Sequence, residues 1–106
     1  MPTHAADRVF AALSDPTRCR VVEQLSRAPA TAGEIATHLP VSRQAVVKHL
    51  GVLEAAGLAE GAREGRRVLY RLTPGPFAAA AQWMGDVGAA WDRRLAALSA
   101  KLASRG

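Results

Sequence analysis

A single cysteine, Cys19, is the whole thiol content of this chain, so an intrachain disulfide is excluded and a reducing compartment is expected. Aromatic residues are almost as scarce, with two Trp, two Phe and one Tyr. No apolar run is long enough to span a bilayer, and the start, Met1-Pro2-Thr3-His4, lacks a basic leader followed by a hydrophobic stretch. The expected location is therefore the cytoplasm, with no membrane partner. With three His, one Cys and scattered acids, the chain offers no Ser/His/Asp or Cys/His constellation, no paired carboxylates with a plausible cleft and no Gly-rich phosphate loop. No enzymatic activity and no cofactor are expected.

Acids are also in deficit. Lys plus Arg number 14 against 9 Asp plus Glu, which gives a formal net charge of +5 and a pI near 10.7. The excess is not uniform: residues 1–41 carry four bases and four acids, whereas residues 42–71 carry six bases and three acids. A basic excess that is greatest in one stretch fits nucleic acid better than an anionic membrane, which would favour basic residues along one amphipathic stripe. At 106 residues the chain is expected to be one domain, 1–106, with a small core that association with a second copy would help to complete.

What is present is organised around residues 31–72. Thr31-Ala32-Gly33-Glu34 has the spacing of a capping box, and Ile35, Ala36 and Leu39 give the short helix that follows an apolar side. Pro40 ends this helix and Ser42 starts the next. In that second helix Val46, Leu50 and Leu53 fall on one face, and Gly57 can close it with a left-handed residue. The other face carries Arg43, Gln44, Val47 and Lys48. Arg and Gln have the fork geometry to read guanine and adenine edges, and such a helix fits the major groove of B-DNA. The plainer reading is a solvated polar face on an ordinary helical hairpin. Beyond it, Val68, Tyr70 and Leu72 alternate as in a strand, and Glu64-Gly65 is the expected hairpin tip. Arg63, Arg66 and Arg67 would then crowd an exposed turn, where an anion such as phosphate would relieve their repulsion.

Outside this unit, residues from about His4 to Leu13 suit a first helix whose apolar edge is Val9, Phe10 and Leu13. Asp15-Pro16 opens a second, with Asp at the N-cap and Pro at the first helical position. Arg18 and Arg20 could reach phosphate or stay solvated, and Cys19 reads as a small buried hydrophobe, with a redox or metal role as the alternative. After the breaker cluster Thr73-Pro74-Gly75-Pro76, a long helix is expected over residues 77–103. Its stripe of Trp83, Val87, Trp91, Leu95, Leu98 and Leu102 is too large for so small a chain to cover. The stripe reads as a dimer interface, packed with Val9, Phe10 and Leu13 against a symmetry mate; the alternative is that it folds back on its own core.

Several separated segments together resemble the ArsR/SmtB family of bacterial winged-helix repressors. They are Leu13-Ser14-Asp15-Pro16-Thr17-Arg18, Glu34-Ile35-Ala36, Val41-Ser42-Arg43-Gln44-Ala45-Val46, His49-Leu50, Val52-Leu53-Glu54-Ala55-Ala56-Gly57-Leu58 and Gly65-Arg66-Arg67-Val68-Leu69-Tyr70-Arg71-Leu72. The resemblance implies a mainly α winged helix-turn-helix fold with a small β-hairpin, ordered α-α-α-α-β-β-α. It also implies a homodimer through the first and last helices that binds double-stranded DNA at a dyad operator. The candidate DNA-binding residues are Ser42, Arg43, Gln44, Val47, Lys48 and His49 with Arg63, Arg66 and Arg67. Two departures in the recognition helix, Val47 where relatives often have Ser and Gly51 where they often have Lys or Arg, touch operator preference or binding strength rather than fold.

Many members of that family sense metals through a Cys-x-Cys before the turn or through Asp/His and His/Glu pairs on the last helix. This chain has Glu34-Ile35-Ala36-Thr37-His38 at the first place and no His after His49, so no metal site of those kinds is expected. His38 and His49 are then structural or DNA-proximal, and any small-molecule effector is unknown. The alternatives are a MarR-like ligand-responsive regulator and a winged-helix module that docks a protein instead of DNA.

Overall fold

The computed structural model describes residues 5–104. Helix α1 spans Ala5–Leu13, and its expected start at His4 lies outside the described residues. Helix α2, Pro16–Arg27, begins as its sequence requires. Asp15 is extended, its Oδ1 accepts the N–H groups of Thr17 and Arg18 at 2.9 and 3.0 Å, and Pro16 stands where no helical donor is needed. The corner between α1 and α2 is tied by two side chains. Arg18 Nε donates to the carbonyl of Ala12 at 2.9 Å, placing a cation at the negative end of α1, and the Cys19 thiol donates to the carbonyl of Leu13 at 2.9 Å. Arg18 thus has a partner within the chain, and Cys19 is half-buried with a polar contact rather than a purely apolar one.

Helix α3 is one short segment, Ala32–Ala36, opened by the reciprocal capping box of Thr31 and Glu34 and ended at the C-cap Thr37, before the expected stop at Pro40. Helix α4, Arg43–Ala55, is capped by Ser42 Oγ, which accepts the N–H of Ala45 at 3.1 Å. It ends in a Schellman arrangement: Gly57 at φ +75°, Gly57 N–H to Glu54 O at 3.0 Å, and Leu58 N–H to Leu53 O at 2.9 Å. The apolar contact that accompanies this motif is present, because Leu53 and Leu58 are both fully buried. The turn out of α4 is therefore anchored in the core.

Strands β1, Ala59–Glu64, and β2, Arg67–Leu72, pair antiparallel with Glu64 opposite Arg67 and Gly61 opposite Tyr70. The hairpin loop is Gly65-Arg66, one residue later than the expected Glu64-Gly65. Gly65 has φ +63° while no other residue type among those described takes a positive φ, so the glycine occupies the first loop position, as in a type II′ turn. Gly61 serves a different need. A Cβ there would lie 2.9 Å from Tyr70 Cε1 and 3.0 Å from Val68 Cγ1, so the aromatic ring lies directly over the glycine. The outer edge of β2 is covered by Ala30, which exchanges both backbone hydrogen bonds with Tyr70 at 2.9 and 3.0 Å. This third, one-residue rung fixes the wing to the start of α3.

Helix α5 runs Pro74–Ala103. The Pro74-Gly75-Pro76 cluster is its first turn rather than a breaker before Phe77, since prolines at the start of a helix lack only N–H groups that would have no partner there. Thirty residues make a rod of about 45 Å. Its first half packs on α1 through the buried Ala80 and an edge-to-face contact of Phe10 with Trp83, centroids 5.7 Å apart. The remainder stands clear, so the chain measures 70 × 31 × 23 Å with a radius of gyration of 19.1 Å, against about 13 Å for a compact chain of this length. The core gathers Val9, Val21, Leu25, Ile35, Val46, Leu50, Leu53 and Leu58 from α1 to α4 and the strand entry.

Candidate nucleic-acid interface

Helix α4 buries Val46, Leu50 and Leu53 against the core, and this fixes what its opposite side presents. Arg43, Gln44, Val47 and Lys48 are all exposed, as are Gly51 and Val52 further along. Ser42 lies at the start of this face with its oxygen accepting the cap bond, which leaves its hydroxyl hydrogen free to donate outward. His49 does not share the face. It sits about 100° round the helix from Lys48 toward the buried row, half-buried, and its charge acts on Asp15 at the head of α2. The Asp15 carboxyl is held below its ordinary range first by the Arg18 N–H it accepts, with His49 a lesser contribution. His38 is exposed and lines a separate groove of about 470 Å³ beside Arg20 and Arg27 of α2.

The three wing arginines are not equivalent, and they do not form the uniform crowd that the sequence suggested. Strand alternation puts Arg63, opposite Val68, and Arg67, opposite Glu64, on different faces of the hairpin. Arg63 Nε donates to the carbonyl of Gly65 at 3.3 Å, which folds it over the loop. Arg67 Nη2 lies 3.8 Å from Glu64 Oε2. Arg66, at the second loop position, is exposed and has no acid within ion-pair distance among the described residues. The repulsion expected among them is thus relieved in part inside the chain. The signal was present in the sequence: Glu and Arg separated by a two-residue loop stand directly opposite in a hairpin.

Between α4 and the wing lies an open groove of about 600 Å³. Arg43 and Val47 line one wall, Arg66, Arg67, Val68 and Tyr70 the other, and Glu34 with its capping partner Thr31 closes one end. The Glu34 carboxyl is held below its usual range, chiefly by the backbone and side-chain hydrogen bonds with Thr31 and to a lesser degree by the charge of Arg67. Sequence reasoning read Glu34 only as a cap and did not place it beside the wing.

Of the candidate interface residues for a second copy, Trp83, Val87, Trp91, Leu95, Leu98 and Leu102 are all exposed, and Phe10 is 37% exposed. Val9 is a correction. It is 3% exposed and belongs to the core of its own chain, and Leu13 is packed partly against that core. The surface that α1 leaves open therefore centres on Phe10. Among the described residues no group of three or more His, Cys, Asp or Glu side chains is arranged to hold a metal ion, and no helix is long and apolar enough to cross a membrane.

A helical core whose recognition helix lies open beside a two-stranded hairpin defines a winged helix-turn-helix protein. Comparison with known proteins carries the assignment further. The helix-turn-helix domain family matches residues 13–62. The chain is 40% identical to the HTH-type transcriptional regulator Rv2034 of Mycobacterium tuberculosis, over 94% of this chain and 91% of that protein. It is 33% identical to the transcriptional repressor SdpR of Bacillus subtilis, over 74% of this chain and 87% of the repressor. Among solved structures, an ArsR-like transcriptional regulator from Rhodococcus sp. RHA1 superposes with a TM-score of 0.79 at 45% identity, covering 94% of this chain and 92% of that one. The chain belongs to the ArsR/SmtB family of winged helix-turn-helix transcriptional regulators.

Proposed function

We propose that the protein is a repressor that binds double-stranded DNA as a homodimer at an operator with dyad symmetry. The observation that carries this reading is the unobstructed face of α4, with Arg43, Gln44 and Lys48 exposed beside a basic wing. Arg43 and Gln44 would address base edges in the major groove, Val47 would make apolar contact there, and Ser42, Lys48, Arg63, Arg66 and Arg67 would meet the phosphate backbone. Two such surfaces about one helical turn of DNA apart require a second copy, and the uncovered stripe of α5 together with Phe10 supplies the contact for it. Repression is the role named for the relative SdpR. Zinc and thiophilic metals need three or four nitrogen or sulfur ligands, and among the described residues no group of His, Cys, Asp or Glu gathers at Cys19, so the reading includes no sensing of those metals.

Fluorescence anisotropy with duplexes from the gene's own upstream region and with scrambled DNA, at about 50 and 200 mM salt, tests the reading. Binding that prefers one duplex and falls steeply with salt is expected. Equal indifference to both duplexes at low salt would overturn it. Stoichiometric zinc retained after dialysis would overturn the metal part alone.

A further inference from the structure

The groove between the helix-turn-helix and the wing contains negative charge where a DNA-contacting surface has no need of it. Glu34 is at the third position of α3, and its Oε1 accepts the backbone N–H of Thr31 at 3.0 Å, which holds its side chain in a fixed orientation. Glu64 is the last residue of β1 and is locked opposite Arg67 by the strand register. Its Oε2 is 3.8 Å from Arg67 Nη2. Arg67 in turn lines the same groove as Glu34 and acts electrostatically on it. One arginine of the wing is therefore paired with Glu64 across the hairpin loop and shares the groove with Glu34. The pair with Glu64 is half exposed on both sides, 59% and 53%, so it adds little to folding stability. Its consequence is for the surface charge that a phosphate would meet.

We infer that Glu34 and Glu64 mask Arg67, so that this arginine is a restrained rather than a free phosphate contact and the sequence-independent part of the affinity for DNA is held down. This rests on the DNA-binding reading above. Affinity for arbitrary DNA comes almost entirely from cations that replace counterions on phosphates, and each effective cation adds about 0.9 to the slope of log affinity against log salt. A carboxylate fixed beside a cation cancels its field over the distance at which loosely docked DNA lies. Arg66, which has no such neighbour among the described residues, is the unmasked member of the pair.

The test uses Glu34→Gln and Glu64→Gln, singly and together. Glutamine serves equally at the third position of a capping box, so the first change removes charge while keeping the cap, and a thermal melt checks that it does. Affinity for a scrambled duplex is measured across a salt series for the parent, for the double variant, and for both in an Arg67→Ala background. In the Arg67 background the double variant should bind scrambled DNA roughly five-fold more tightly at low salt, with a slope steeper by about one. In the Arg67→Ala background the same two changes should alter neither quantity. An unchanged slope in the Arg67 background, where the parent itself shows salt-dependent binding, overturns the mask alone. So does an equal gain in the Arg67→Ala background, since the carboxylates would then be repelling DNA without acting through Arg67. A parent with no salt-dependent affinity overturns the DNA reading on which the mask depends.

Discussion

The pairing of two chains through α5 can be tested at Leu95 and Leu98, which are 55% and 53% exposed and lie on the part of the helix beyond its contact with α1. Fully burying a leucine side chain is worth about 1.5–3 kcal/mol, so covering the exposed half of each contributes about 1 kcal/mol. A twofold arrangement covers both residues in both subunits, about 4 kcal/mol in all, of which alanine would retain a part. Leu95→Ala with Leu98→Ala should therefore weaken association by about 3 kcal/mol, roughly a hundredfold in Kd. Sedimentation equilibrium over a concentration series reads this directly. Far-ultraviolet circular dichroism of the dissociated variant should still report a folded α1–α4 core, because neither leucine contributes to it. A parent that sediments as a lone chain at micromolar concentration, or a variant with the parent's Kd, would refute the reasoning, and the stripe would then belong to some other contact.

Three further outcomes follow from particular residues. Arg66→Ala should weaken binding to all duplexes alike and lower the salt slope by about one, whereas Gln44→Ala should leave the slope unchanged and cost about 1–3 kcal/mol of discrimination at one base pair, both read by anisotropy on operator and scrambled DNA. Gly57→Ala forces a side chain into the left-handed conformation at φ +75° and should cost about 1–2 kcal/mol, seen as a melting temperature lower by roughly 5–10 °C. The Asp15 and Glu34 carboxyls are both held below their ordinary range by the N–H groups they cap. Their contribution is complete above the unfolded carboxylate range, near pH 4, and is lost as the pH falls through and below it. The melting temperature of the parent should therefore drop on acidification below about pH 4, and Asp15→Asn with Glu34→Gln should flatten that drop.

Much of the fold was legible because its boundaries are set by local chemistry. Asp15-Pro16, the Thr31 to Glu34 box, Ser42 and Gly57 each satisfy or release backbone groups within four residues of themselves, and each does in the structure what its residue type dictates. The buried row of Val46, Leu50 and Leu53 followed from periodicity alone. Errors arose where two local rules were both admissible. Pro74-Gly75-Pro76 could break a helix or begin one, and Glu64-Gly65-Arg66 could turn at either pair. The assignment of Val9 to a dimer surface failed for a different reason, since periodicity says which side of a helix is apolar but not how far round that side its own subunit reaches.

From the residues in order one could derive the succession of helices and hairpin, the open polar side of α4 and the excess of apolar side chains on α5, because each depends on neighbours in the chain. Only the folded molecule decided which charges meet. Ala30 reached β2, His49 came within electrostatic reach of Asp15, and Arg67 came to line the same groove as Glu34. These pairings join elements distant in sequence, and their positions are set by how the helices and wing pack around Ile35, Leu50 and Leu58, a condition that no local rule expresses.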